Sequence, residues 1–216
     1  MARQCLRDVS VIGVGLTPVG EHWDKSLRVL GAEAVLAACA DAGIEYPEAL
    51  YVGNMLSGQL CHQENLGALI ADHAALRGVE AVKVEAACAS GAAAVRQAYA
   101  AVAGGLCDVA VACGVEKMTD ADPRTVTSAL ATAADYEFEA EHGLSFVALN
   151  ALLMRRYMHE YGYQRADFGP FALNAHENAC QCAHAMYPRA ITAEAFARAK
   201  MIADPISLLD SSGIGD

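Results

Sequence analysis

The run Glu85-Ala86-Ala87-Cys88-Ala89-Ser90-Gly91 places a thiol where a β-branched stretch hands over to a helical one. A sulfur there meets the positive end of a helix macrodipole and amide donors that no helical turn has yet used. Both favour thiolate over thiol, so the spacing predicts a lowered pKa and a competent nucleophile. Ala87, Ala89 and Gly91 keep the surroundings small enough for an acyl group beside the sulfur. The alternative is a buried structural cysteine, the role expected for Cys107 and Cys113. Spacing alone leaves both readings open.

Other chemistry-bearing groups are weaker. Cys180 and Cys182 with His176 and His184 suggest a metal site. Zinc prefers two to four residues between cysteines, and residues two apart on a helix point in different directions, so no metal site is expected. Arg155-Arg156 could attract phosphates, although a solvated, ion-paired face is the commoner outcome. Gly13-Val14-Gly15 lacks the third glycine and the immediate helix of a dinucleotide fingerprint.

The elements that must position Cys88 alternate in type. Val9–Gly15 reads as a strand, Ser26–Ala42 as a helix with Leu27, Leu30, Ala34, Ala37, Ala38 and Ala42 close to one face. Strand character returns at Leu50–Val52, followed by a helix over Asn65–Leu76. A strand at Val82–Ala86, a helix at Ser90–Ala103 and a strand at Val109–Cys113 complete the alternation. Such a pattern predicts an α/β fold with a mostly parallel sheet covered on both faces. The helix at Ser90–Ala103 is small and apolar nearly all round, so it is expected to be enclosed on every side, as a central layer between two sheets. A chain of this length supplies only one of them.

Residues 1–118 are read as this core, 119–190 as an inserted loop domain and 191–216 as a return to the core. Within the insert, Phe146–Tyr161 and Pro170–Met186 are expected helices, with Leu149, Leu152, Leu153, Met154 and Tyr157 packing, the alternative being that the first of these helices roofs the acyl pocket. Ile206–Leu209 is the late strand candidate.

Composition narrows the classes of function. Of 216 residues, 55% are hydrophobic and 19% charged, which excludes disorder. A formal net charge of -11 with no basic run argues against nucleic acid. No apolar stretch approaches the roughly 20 residues of a membrane-spanning helix. The eight cysteines are scattered, and Ala2–Asp8 is largely polar rather than a secretory leader. The expectation is a reduced, cytoplasmic protein.

The segment VKVEAACASGAAAVRQAYAAVAGGLCDVAVACGVEKMTD resembles the nucleophile region of the thiolase family, above all its sterol-carrier-protein-type branch and the related acetyl-CoA acetyltransferases. VSVIGVGLTPVG, ALNALLMRRYMHEYG and DPISLLDSSGIGD extend the resemblance over nearly the whole chain. It implies the N-terminal half of a thiolase-like fold, with the nucleophile helix in a central layer. It implies that Cys88 is acylated by acyl-CoA, for Claisen condensation or for thiolytic cleavage of a 3-ketoacyl-CoA, with the Cys88 amide donating to the oxyanion. Ala89, Gly91 and Met118 would line the pocket, and His142 and Ser145 would lie near the pantetheine arm of coenzyme A, an ordinary loop histidine being the alternative for His142. Coenzyme A enters as substrate, and no cofactor is implied.

Family members carry a Gly-His-Pro type histidine and a second cysteine in a C-terminal half, and neither motif occurs here. The chain alone is therefore expected to be nearly inert in turnover, since each acid–base partner contributes about 10²–10⁴-fold. The resemblance also implies a homodimer or dimer of dimers, and a small zinc-ribbon and OB-fold partner in some relatives. The alternatives are a β-ketoacyl-synthase-like condensing enzyme and a non-catalytic acyl-CoA or lipid binding module.

Overall fold

The computed structural model describes residues 6–216, so Cys5 lies outside the described residues. Two compact units divide the chain: residues 22–120 with the segment up to Thr17 and Asp216 form one, and residues 18–21 with 121–215 form the other.

The first unit is built on α1 (Leu27–Ala42), β1 (Ala49–Gly53), α2 (Ser57–Leu60), α3 (Leu66–His73), β2 (Glu80–Val84), α4 (Ser90–Ala103) and β3 (Ala110–Gly114). β1 is the centre of a three-stranded parallel sheet of order β2-β1-β3. Every residue of β1 is buried, as a strand flanked on both edges and covered on both faces must be. Its side chains alternate between two cores. Leu50 and Val52 join Val111 and Cys113 beneath α1 and α3, where Val35, Leu66 and Ile70 are almost fully buried. Ala49 and Tyr51 face α4 through Ala94 and Ala101. The register pairs Gly53 with Val84 on one side and with Gly114 on the other, so all three strands end at one level. That edge is where loops can carry chemistry.

α4 begins and ends where the sequence places it. Its sheet-facing residues are covered, but Val95 is 59% and Tyr99 50% exposed, so the expected enclosure on all sides is met on one side only. The apolar composition is there; a second layer over that face is not, among the described residues.

The strand expected at Val9–Gly15 is a correction. Its residues form no strand, and Val11, Ile12 and Val14 are exposed. β-branched composition suits a strand, but a strand also needs a ladder partner. Here the Val14 amide donates instead to the Asp41 carboxylate at 2.9 Å. Gly13 lets the backbone lie against α1: a Cβ there would sit 2.6 Å from the Ala38 carbonyl oxygen.

The second unit carries α5 (Pro123–Ala131), a π-turn at Tyr136–Ala140, α6 (Phe146–Tyr161), a 3₁₀ turn at Arg165–Phe168, α7 (Gly169–Ala179) and α8 (Ala193–Arg198). β4 (Met201–Ala203) pairs antiparallel with β5 (Ile206–Ser207). α6 has the predicted bounds, with Ser145 as N-cap and Gly162 in the left-handed conformation at its end. α7 stops seven residues before Met186 because a succession of turns follows Ala179. No helix of the described residues is long and apolar enough to cross a membrane.

Candidate active site

β2 ends at Val84, and within three residues the chain has turned into a 3₁₀ turn, Ala87–Ala89, that runs directly into α4. Cys88 is the middle residue of that turn and is exposed. The turn requires Ala87 at φ 48°, in the left-handed region. For a residue with a Cβ this costs of order 1–3 kcal/mol, so neighbouring bonds must hold it.

Those bonds are visible. Ser90, only 5% exposed, reaches back across the turn: its hydroxyl oxygen accepts from the Ala86 amide at 2.9 Å and donates to the Ala87 carbonyl at 2.6 Å. The Ala87 amide donates to the Glu85 carboxylate, and the Ala89 amide to the Ala86 carbonyl at 2.9 Å. Beneath the turn, glycines keep the sheet edge low. A Cβ on Gly91 would lie 3.9 Å from the Gly114 Cα, an ordinary contact, leaving Gly91 and exposed Ala89 as small neighbours of the sulfur.

Two buried polar clusters brace the loops leaving the same edge. Asn54, 1% exposed, donates to the Val115 carbonyl at 2.9 Å and to the Glu116 carboxylate, and accepts from the Ser57 amide at 3.0 Å. The Glu116 carboxylate also accepts from the amides of Met55 and Leu56. Burial raises its pKa, against those bonds and the positive charge of Lys83. Next in the chain, buried Lys117 donates to Asp216 at 2.6 Å, Asp120 at 2.8 Å and Thr119 at 2.9 Å. Asp216 accepts further from the amides of Met118, Thr119 and His22. Met118 is thereby held through its backbone, four residues beyond the end of β3.

His142 and Ser145 belong to the second unit. His142 is exposed in a turn. Ser145 has its hydroxyl oxygen engaged with the Ala148 amide at 3.2 Å as the cap of α6. Arg155 pairs with Asp204 and Arg156 with Glu160, the ion-paired face that was the commoner expectation. Leu152 and Leu153 are exposed rather than packed, whereas Met154 lines an apolar cleft of about 620 Å³ with Phe168, Phe171 and Leu209. Cys180 and Cys182 are exposed, and Cys180 donates to the His176 carbonyl at 3.4 Å.

Sequence reasoning passed over Ser90, Asn54 and the Lys117–Asp216 pair. For Ser90 and Asn54 the available signal was position: Ser90 is the first residue of a helix and Asn54 follows a strand end, where each has backbone groups to satisfy, whereas the Lys117–Asp216 pair joins residues 99 apart and has no such signal.

The family model described as "Thiolase, N-terminal domain" matches residues 9–207. The chain belongs to the thiolase family. It is 47% identical over 214 residues to an acetyl-CoA acetyltransferase of Methanothermobacter thermautotrophicus, covering 98% of this chain and 55% of that protein. To the acetyl-CoA acetyltransferase of Methanocaldococcus jannaschii it is 42% identical, over 98% of this chain and 54% of that protein. Among solved structures, the Ltp2-ChsH2(DUF35) aldolase superposes with a TM-score of 0.75 at 29% identity, covering 95% of this chain and 52% of that one. The thiolase-like fold expected from the sequence is therefore the observed one. The chain spans about half the length of the curated relatives it matches.

Proposed function

We propose that this chain is the nucleophile-bearing half of a thiolase-type acyltransferase that takes acyl-CoA, with Cys88 as the acyl carrier. The observation that supports it most is the exposed sulfur of Cys88 in a strained turn between β2 and α4, at the level where three parallel strands end. Relatives named acetyl-CoA acetyltransferase support the substrate class.

In this reading the sulfur attacks the thioester carbonyl of acyl-CoA. A new carbon–sulfur bond forms to Cys88, the bond to coenzyme A breaks, and coenzyme A leaves as a thiol carrying the proton that Cys88 gave up. The Cys88 amide donates to the oxyanion as it develops. Ala89 and Gly91 leave room for the acyl group, and Met118 forms pocket wall. The acyl group then passes to a second acyl-CoA carbanion, or returns to coenzyme A in the degradative direction. Full turnover is assigned to this chain together with the further length its relatives have, in a homodimer or dimer of dimers. A small zinc-ribbon and OB-fold subunit is a candidate partner, in keeping with the DUF35 component named in the superposed aldolase.

Incubation with acetyl-CoA followed by peptide mass spectrometry tests the first step. An acetyl adduct on the Cys88 peptide, discharged by free coenzyme A and lost in Cys88→Ala, is the expected result. An adduct that persists in Cys88→Ala would remove the assignment.

A further inference from the structure

Ser90 is the first residue of α4, yet its hydroxyl does not act forward as a helix cap; no side chain caps this helix. It reaches backward instead, to the Ala86 amide and the Ala87 carbonyl. A helical serine often bonds a carbonyl three or four residues earlier, which accounts for the second bond and not for the first. A hydroxyl offers one donor and two acceptor sites, and here it closes a bracket around a single peptide unit, the one joining Ala86 to Ala87. Because Ser90 is 5% exposed, water competes little for either bond. The bracketed residue is Ala87 at φ 48°, and the next residue is Cys88. The Glu85 carboxylate also takes the Ala87 amide, but Glu85 is exposed to solvent, where such a bond is readily exchanged for water.

We propose that Ser90 is the positioning residue of the nucleophile: its side chain holds Ala87 in the left-handed conformation that sets Cys88 at the head of α4. This rests on reading Cys88 as the acyl carrier, and it adds the residue that prepares the sulfur without touching substrate. Removing the hydroxyl frees Ala87 to relax to negative φ, which swings Cys88 away from the first turn of α4. Glycine takes positive φ about as readily as negative. Ala87→Gly therefore makes the same turn available without Ser90.

The experiment is the rate of Cys88 alkylation by iodoacetamide, followed by peptide mass spectrometry. Amide exchange in β1, β2 and β3 serves as the check that the sheet is intact. Ser90→Ala is expected to slow labelling at least fivefold with sheet protection unchanged. Ser90→Thr, which keeps the hydroxyl, is expected to stay within twofold of the parent. Ser90→Ala/Ala87→Gly is expected to recover to within twofold, which a general packing role for Ser90 would not produce. Parent-like labelling in folded Ser90→Ala overturns the proposal, and so does a double variant that labels slowly or fails to fold. If Ser90→Ala alone does not fold, the double variant decides by the same readings. Acetyl uptake from acetyl-CoA by the parent reports separately on Cys88 as acyl carrier. Its absence, with the alkylation pattern intact, would remove that assignment and leave the positioning role standing.

Discussion

Gly53, the last residue of β1, lies in direct backbone contact with Ser90, the first residue of α4. A Cβ built on Gly53 would fall 2.7 Å from the Gly91 nitrogen and closer still to the Ser90 carbonyl. The central strand of the sheet thus ends against the turn that carries Cys88, with no side chain between them. The sheet and the turn that holds Cys88 are coupled through main chain, which close packing makes stiff.

Gly53→Ala is accordingly expected to force the α4 start away from the sheet edge, at a cost of about 1–3 kcal/mol from overpacking. Gly91→Ala meets only an ordinary contact, with Gly114, and replaces a helical glycine, so its stability is expected to change by less than about 1 kcal/mol. Urea midpoints of the two variants check the contrast. Equal losses would mean that the backbone contact at Gly53 does not constrain the turn.

The cysteines divide by environment. Burial pushes the Cys113 thiol up to about 12 and raises those of Cys39 and Cys107. A raised thiol pKa means the protonated, unreactive form at neutral pH. Iodoacetamide at pH 7.5 is expected to label Cys88, Cys180 and Cys182, which are exposed, within minutes. Cys39, Cys107 and Cys113 are expected to resist until the protein is denatured. Native labelling of Cys113 would show that the core between α1 and the sheet opens readily.

Much of this arrangement was legible in the sequence, where local patterns and tertiary demands agree. α4 and α6 have the predicted bounds because an apolar helical run coincides with a start signal in each: the turn Ala87–Ala89 that contains Cys88, and the Ser145 cap. Cys88 was legible because its place depends only on neighbours along the chain. Val9–Gly15 misled because strand composition says nothing about whether a ladder partner is available. The clusters around Asn54 and Asp216 were illegible for a related reason. Asn54 meets Glu116 across 62 residues and Lys117 meets Asp216 across 99, and no local pattern encodes such pairings.

Glu116 makes a pH signature of its own. Burial raises its pKa above the ordinary glutamate value of about 4.3, despite opposing bonds from Met55, Leu56 and Asn54 and the charge of Lys83. A carboxyl with a raised folded pKa favours the folded state while protonated, and that contribution is lost as pH rises through the window above about 4.3. Glu116→Gln, uncharged throughout, is expected to remove this component from a plot of melting temperature against pH. The same slope in variant and parent would assign it to another group.

Asp216 carries the opposite sign. Burial alone would push its carboxyl upward, but bonds from Lys117, the Thr119 hydroxyl and the amides of Thr119 and His22 outweigh burial and hold it well below the ordinary aspartate range. Its contribution is therefore present above the ordinary value of about 3.9 and is lost as pH falls below that. Lys117 complements it: burial opposes its charge, Asp120 and Asp216 overcome that, and the raised pKa keeps its contribution intact until pH climbs past about 10.4. The Asp216 side chain is fully buried and that of Lys117 is 1% exposed, so water does not readily replace a lost partner. Lys117→Met is expected to cost about 3–5 kcal/mol, because Asp216 then keeps its charge without a counter-ion. Asp216→Asn is expected to cost less, since Asp120 still pairs with Lys117. It should also flatten the acid limb of the stability curve below about pH 4 while leaving the limb between pH 5 and 8 parallel to that of the parent. Urea unfolding at several pH values reads both effects together. An acid limb in Asp216→Asn as steep as the parent's would show that other carboxylates govern acid stability and that this pair is electrostatically silent.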